Sequence, residues 1–206
     1  MKTLLLNFIE NRLNIKMKKH CGSLYSSMFF SVLFFAYSNP CIVKEIVSNL
    51  PTQYLSVESL SICVSTLLIG MIWKGKTRDV VIRNFTIIAT IETIASIVLA
   101  FWLLVIGYNV WVLAIASLIY INVISLFVNK CIMAFKSKLF QSKEREDFDN
   151  SSSTIHSIAA IIGYIAATFF MPSLEMAILI WSSACVFDDI GWIYIYIKNK
   201  GTFMSD

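Results

Sequence analysis

The sequence predicts an all-α membrane protein with six transmembrane helices and with both termini in the cytoplasm. Of its 206 residues, 57% are hydrophobic and 15% are charged. That composition leaves too little polar surface for a soluble domain. Several apolar runs approach or exceed the roughly 20 residues that cross a bilayer as a helix. No series of short alternating strands indicates a barrel.

The distribution of positive charge predicts the orientation. Every one of the 17 Lys and Arg residues except Lys44 falls in one of four segments: the N-terminal tail, residues 74–83, residues 130–145 and the C-terminal tail. Six helices place all four segments on the same side of the membrane. Because basic residues are retained on the cytoplasmic side during insertion, we expect that side to be cytoplasmic. The formal net charge of +4 is then a consequence of topology, and no nucleic acid partner is expected.

The N-terminal 20 residues form a separate amphipathic segment. Its apolar side chains lie on one side at helical spacing, with Asn7, Glu10, Asn11 and Asn14 opposite. The segment lacks the apolar core and small-residue cleavage site of a signal peptide, so we expect it to lie along the inner membrane surface. Residues 21–206 form the transmembrane domain.

The apolar runs give approximate bounds for the six helices. They are predicted at about 22–46, 57–73, 80–106, 111–135, 154–171 and 174–197. Pro40 lies near the outer end of the first, where a kink or a stop is tolerated. Turns are expected at 107–109 and at 172–173. Residues 136–153 are predicted to form a basic cytoplasmic loop.

Three carboxyl groups are predicted to lie near the centre of the membrane. Glu92 is nine residues beyond Arg83, and Asp188 is ten residues before Lys198. At about 1.5 Å per residue, both are roughly 14 to 15 Å from the inner surface. A carboxylate there costs about 2.5 to 3.5 kcal/mol on insertion scales, so such groups normally face the bundle interior.

These residues are the candidate site. We expect Glu92 and at least one of Asp188 and Asp189 to bind a proton or a cationic ligand. The alternative is that they are protonated and hydrogen bonded between helices. We expect no buried Lys or Arg to pair with them, and His156, in the first turn of the fifth helix, is the nearest candidate partner.

Other polar and small residues have two open interpretations. Asn122, with Ser125 and Asn129, forms a stripe on the fourth helix that lines a pathway or contacts another helix. The small residues Ala159, Gly163 and Ala167 recur every four positions and predict close helix packing, or a dimer seam. The five cysteines and two histidines show no metal spacing. We therefore predict no metal site, no cofactor and no catalytic residue.

The segment leading into the fifth helix carries a family-like motif. Many exporters of the major facilitator superfamily have here a basic residue, an aromatic or small residue, Asn-Ser, and a glycine one or two turns into the helix. The matching residues are Arg145, Phe148, Asn150, Ser151 and Gly163. Over about residues 57–197 the chain thus resembles one six-helix half of a transporter of that superfamily.

Two further segments enter the resemblance. Residues 70–78 are similar to the signature between helices two and three, although Lys74 and Thr77 stand where the family has Asp and Gly. Residues 189–192 are similar to a stretch of helix six in some exporters, in which an Asp is followed by small residues and an aromatic one.

The resemblance implies a half-sized transporter of a small lipophilic or cationic solute, with proton-coupled efflux as one form. It works as a homodimer or with a second six-helix chain, unless the chain is a truncated remnant. We expect it in a bacterial cytoplasmic membrane. The alternative is a non-catalytic binding module, either a substrate-capturing importer subunit or an accessory or immunity protein. An enzyme is not expected, because HExxH and similar motifs are lacking.

Overall fold

The computed structural model is helical throughout the part of the chain that it describes. It describes residues 22–51, 54, 59–60, 63–64, 66–67, 70–71, 85–107, 109–119, 132–134, 136–137 and 139–203. Five helices are bounded: α1 (Gly22–Asn49), α2 (Phe85–Val105), α3 (Val110–Ile119), α4 (Ser142–Phe169) and α5 (Leu174–Phe203). The described residues of 59–71 and 132–139 are also helical. The N-terminal segment 1–20 and Asn122 lie outside the described residues.

Four of these helices are long and apolar enough to cross a membrane: α1, α2, α4 and, over Leu174–Asn199, α5. The faces of α2 support this assignment. Its buried face carries small or polar residues such as Ala89, Glu92 and Ser96, whereas large apolar residues such as Ile91 and Phe101 are 60% and 65% exposed. This is the reverse of a soluble helix, whose large apolar side chains face inward. The chain is therefore an integral membrane protein.

The helix α1 lies at the centre of the described bundle. It packs most extensively against α5 and then against α4, while α2 packs against the other side of α5. The short helix α3 contacts α1 and α2. Gly107, with a φ of 90°, and Asn109 join α2 to α3. Asn109 caps α3 by accepting a hydrogen bond from the Trp111 backbone N–H at 2.8 Å.

Two glycines bring α1 close to its neighbours. A Cβ at Gly163 of α4 would lie 2.7 Å from the Leu33 carbonyl oxygen, and a Cβ at Gly191 of α5 would lie 2.6 Å from Ser27 Cβ. Both helices therefore use the absence of a side chain to approach the α1 backbone. The small-residue stripe of α4 is buried in this contact, so it packs within one chain.

The structure corrects the prediction for residues 142–153, which we expected in the loop of 136–153. They are the first turns of α4, which begins at Ser142 and not at 154. The Gln141 backbone N–H donates to the Glu144 carboxylate at 3.4 Å, and Arg145 pairs with Asp149 at 3.8 Å. Local capping, an i, i+4 ion pair and the buried Phe148 ring stabilise a helix in a stretch that is otherwise polar.

The helices α1 and α5 also extend beyond the ends predicted at 46 and 197. Pro40 lies inside α1, which continues to Asn49. The Asn49 side chain donates to the Glu45 carbonyl at 2.8 Å and so satisfies one terminal acceptor. In the added turn of α5, the Asn199 side chain donates to the Ile195 carbonyl at 2.8 Å. Polar side chains at both ends therefore let the helices continue past their apolar runs.

Two apolar clusters fill the bundle and enclose a polar layer. The first cluster comprises Leu24, Tyr25, Met28, Phe85, Ala89, Ile132, Phe140, Phe148, Ile155, Trp192, Ile195 and Tyr196. The second comprises Ile42, Ile46, Leu50, Tyr54, Ala100, Leu103, Leu113, Ala114, Ala177, Ile178, Trp181 and Cys185. Along α2 and α5, the buried residues Glu92, Ser96 and Asp189 lie between the two clusters, and Ser182 lies beside them among the α5 residues of the second cluster. The polar layer is thus at the middle of the membrane-length helices.

Candidate functional site

The helices α2 and α5 bring two carboxyl groups together in the polar layer. Glu92 is 6% exposed and Asp189 is 2% exposed. The Thr93 hydroxyl donates to Asp189 Oδ2 at 2.6 Å. The Glu92 and Asp189 carboxyl groups lie close enough to interact electrostatically. We name Glu92, Thr93, Asp188 and Asp189 the carboxyl cluster.

The proximity of the Glu92 and Asp189 carboxyl groups has a chemical consequence. An ionised carboxylate only accepts hydrogen bonds, so the two groups can hydrogen bond to each other only when at least one holds a proton. Two unscreened negative charges at this depth would also repel each other and lose their hydration. The geometry therefore fits a carboxyl pair that holds a proton and can exchange it for a cation.

Asp188 differs from Asp189 in its surroundings. Adjacent residues of a helix point about 100° apart, and Asp188 is half-buried where Asp189 is buried. Asp188 interacts electrostatically with Glu92 and with Lys136. Lys136 is 18% exposed and forms its ion pair with Asp149, so the expectation that no buried Lys or Arg pairs with these acids stays a prediction. His156 interacts electrostatically with Lys136. Lys136, and not His156, interacts with Asp188.

Lys136 occupies a site built from two rings and two acids. Its side chain is 18% exposed, and its Nζ lies 3.0 Å from Asp149 Oδ1. The same Nζ lies 5.0 Å from the centroid of the Phe148 ring and 5.6 Å from that of Trp192. Trp192 is one turn beyond Asp188 on α5. We name Phe148, Trp192, Asp149 and Asp188 the ammonium site.

Aromatic stacking fixes the position of Phe148. Its ring stacks on Phe140 at 4.8 Å and on Tyr25 of α1 at 5.5 Å. It meets Trp192 edge to face at 6.1 Å. Four separate parts of the chain thus hold the ring, and the site needs little rearrangement to receive a cation.

The five motif residues all lie in α4, four of them in its first half, and they have different environments. Phe148 and Gly163 are buried in packing contacts. Ser151 is buried, and its hydroxyl donates to the Asp147 carbonyl at 2.8 Å. Arg145 pairs with Asp149, and Asn150 is exposed. Of these five residues, Phe148 belongs to the ammonium site and Arg145 contacts that site through Asp149.

A cleft opens beside the polar layer. It has a volume of about 380 Å³ and is lined by α2 and α5, mostly with apolar side chains and with Ser182 and Ser183. The Ser182 hydroxyl donates to the Ser96 carbonyl at 3.2 Å, and the Ser96 hydroxyl donates to the Glu92 carbonyl at 2.9 Å. Two hydrogen bonds, one to the carbonyl and one from the hydroxyl of Ser96, thus link the cleft to the turn of α2 that contains Glu92.

Sequence reasoning missed Thr93 and Lys136. A threonine in an apolar helix and a lysine at a helix end are common, and neither carries a signal of its own. The depth of Glu92 and Asp188 was readable from spacing, but the rotation of α2 against α5 was not.

Replacing Thr93 by Val should destabilise the protein, because the Asp189 carboxyl loses a buried hydrogen-bond donor. We expect a loss of about 1 to 3 kcal/mol in the free energy of unfolding. Thr90→Val is the matched control on the same helix, since the Thr90 hydroxyl donates only to the Thr86 carbonyl on an exposed face. Thermal unfolding in nanodiscs measures both, and equal midpoints for the two variants would contradict this role of Thr93.

Comparison with models of known families, with curated proteins and with solved structures finds no match to this chain. Within the described residues, no group of three or more His, Cys, Asp or Glu side chains could hold a metal ion. The chemistry of the carboxyl cluster and the ammonium site is therefore the basis for assigning a function.

Proposed function

We propose that the chain transports a small organic cation across the membrane in exchange for a proton held by Glu92 and Asp189. The observation that supports this most directly is the pair of interacting carboxyl groups, Glu92 and Asp189, buried between two membrane-length helices. Ionisable groups at this depth are costly and are characteristic of proton and solute pathways.

Exchange follows from the charge balance of the pair. With one proton bound, the two carboxyl groups carry one negative charge. With two protons bound, they carry none. When the proton leaves, a bound cation can compensate the charge in its place. Proton and solute would then occupy the site in alternation, which couples their movements in opposite directions. The cleft beside Ser182 provides apolar surface for the non-polar part of such a solute.

The proposal includes a six-helix chain with cytoplasmic termini in a bacterial cytoplasmic membrane. The one-sided distribution of Lys and Arg supports this topology. It also includes a second copy or a second six-helix chain, because transporters of the major facilitator superfamily place their binding site between two six-helix halves. The motif from Arg145 to Gly163 supports this half-transporter architecture.

Flux in proteoliposomes tests the proposal. The probe is radiolabelled tetraethylammonium, a permanent cation that crosses lipid slowly. With a pH gradient that is acidic inside, we expect tetraethylammonium to accumulate faster than in protein-free liposomes, and the gain should vanish when a protonophore removes the gradient. Uptake equal to that of protein-free liposomes would contradict transport of this cation. Binding without flux would instead favour a membrane binding module.

A further inference from the structure

The contacts of Lys136 resemble those by which proteins recognise ammonium ligands. Such ligands are bound against aromatic faces, with acids nearby to compensate the charge. Here two rings, from α4 and α5, meet one ammonium group at 5.0 and 5.6 Å. Asp149 lies 3.0 Å away, and Asp188 adds its charge from α5.

Lys198 offers an internal comparison. Its Nζ lies over a single ring, that of Tyr194, at 5.5 Å, and both side chains are exposed. An exposed contact of this kind is weak and does not define a pocket. The Lys136 contact differs because it combines two rings, an ion pair and burial. The ammonium site is therefore a built site and Lys198 is not.

We propose that the ammonium site binds the cationic head of an alkylammonium solute, and that Lys136 fills it as a tethered competitor in the described state. This inference rests on the proposed function, and it names the substrate class as amines with an alkyl chain. The tether can leave, because lysine carries a compact charge on a flexible four-carbon stem.

The charged groups around the site favour replacement of Lys136 by another cation. Asp149 and Arg145 face it from α4, and Asp188 faces it from α5. If Lys136 withdraws, Asp149 still has Arg145 at 3.8 Å, whereas Asp188 retains Glu92 as a like-charged neighbour. The vacated site is thus more negative than before.

The ammonium site adjoins the carboxyl cluster, because Asp188 belongs to both. Trp192 is four residues beyond Asp188 and three beyond Asp189, so its ring is about one turn from these acids, or roughly 5 to 6 Å along α5. A solute held by the rings needs to move only by this distance to reach the acids. Lys136 would then control entry from this end of the bundle.

Binding of n-butylammonium to the full-length protein in nanodiscs tests the inference. Tryptophan fluorescence reports binding, since Trp192 lines the site. We expect Lys136→Ala to bind the probe at least about tenfold more tightly than the unmodified protein, because the competitor is gone and the rings and acids remain. Lys198→Ala is the matched control and should bind like the unmodified protein. Lys136→Gln removes the charge but keeps most of the side-chain length, and it should show the same gain if Lys136→Ala folds poorly.

A double variant tests whether the gain in affinity arises at the ammonium site. Adding Asp149→Asn to Lys136→Ala should remove most of the gain, since the nearest carboxylate is then neutral. Equal affinity of the unmodified protein, both Lys136 variants and Lys198→Ala would overturn the inference. This assay needs no flux. A Lys136 gain without any tetraethylammonium transport would overturn the proposed function alone, and transport without that gain would overturn the ammonium site alone.

Discussion

Replacing Glu92 by Gln and Asp189 by Asn together should reduce pH-driven tetraethylammonium flux to the level of protein-free liposomes. The amide side chains keep the shape of the pair and its capacity to hydrogen bond, but neither binds or releases a proton. Proton exchange then has no group to carry it. The double variant should still insert and unfold at a midpoint close to that of the unmodified protein, because no buried group loses all its partners. Each single variant should also lose the pH dependence of flux.

The control for this prediction lies on the same helix. Glu175 is an exposed acid in the first turn of α5, and Glu175→Gln removes one carboxylate without touching the polar layer. Its flux should equal that of the unmodified protein. Unchanged flux and unchanged pH dependence in Glu92→Gln/Asp189→Asn would show that the pair has no part in transport.

Replacing Gly191 by Ala should cause the largest loss of stability among the single changes. The added Cβ would lie 2.6 Å from both Ser27 Cβ and Ser27 Oγ, so α1 and α5 must separate. Overpacking of this kind costs about 1 to 3 kcal/mol in the free energy of unfolding. Helices in lipid associate through close packing, with little hydrophobic driving force to compensate. The Ser27 hydroxyl also donates to the Phe187 carbonyl, and this contact would be disturbed.

Gly163→Ala and Gly22→Ala complete this series. A Cβ at Gly163 would lie 2.7 Å from the Leu33 carbonyl oxygen, a backbone atom that cannot rotate away. Gly163→Ala should therefore also destabilise the protein. A Cβ at Gly22 would meet nothing within 4 Å, and Gly22→Ala should leave the unfolding midpoint unchanged or slightly raised. Thermal unfolding in nanodiscs compares the three. A Gly191→Ala midpoint at or above that of Gly22→Ala would mean that the two helices do not touch at this position.

The features that are predictable from the sequence are those that depend only on distance along the chain. Chain length between Arg83 and Glu92, and between Asp188 and Lys198, sets the depth of the acids. The cost of charge in lipid then predicts that Glu92 and at least one aspartate face the interior, and Glu92 and Asp189 are buried. Apolar runs likewise predict membrane-length helices.

The residues that these side chains contact depend on how the helices are rotated and packed against one another. Whether Asp188 or Asp189 meets Glu92 is decided by the rotation of α5, which the close approach at Gly191 fixes against α1. Lys136 falls in a polar stretch that composition assigns to a loop. Its contact with Phe148 and Trp192 arises because α4 starts at Ser142, where a local cap outweighs the lack of an apolar face.

The central claim is that Glu92 and Asp189 share a proton that a cationic solute displaces. Infrared difference spectroscopy in nanodiscs, with and without tetraethylammonium, tests this most directly, because protonated and ionised carboxyl groups absorb differently. We predict that adding the cation removes a protonated-carboxyl band in the unmodified protein. Glu92→Gln/Asp189→Asn should show no such change. A protonated-carboxyl band that persists at saturating cation, or that is equally present in the double variant, would contradict the account.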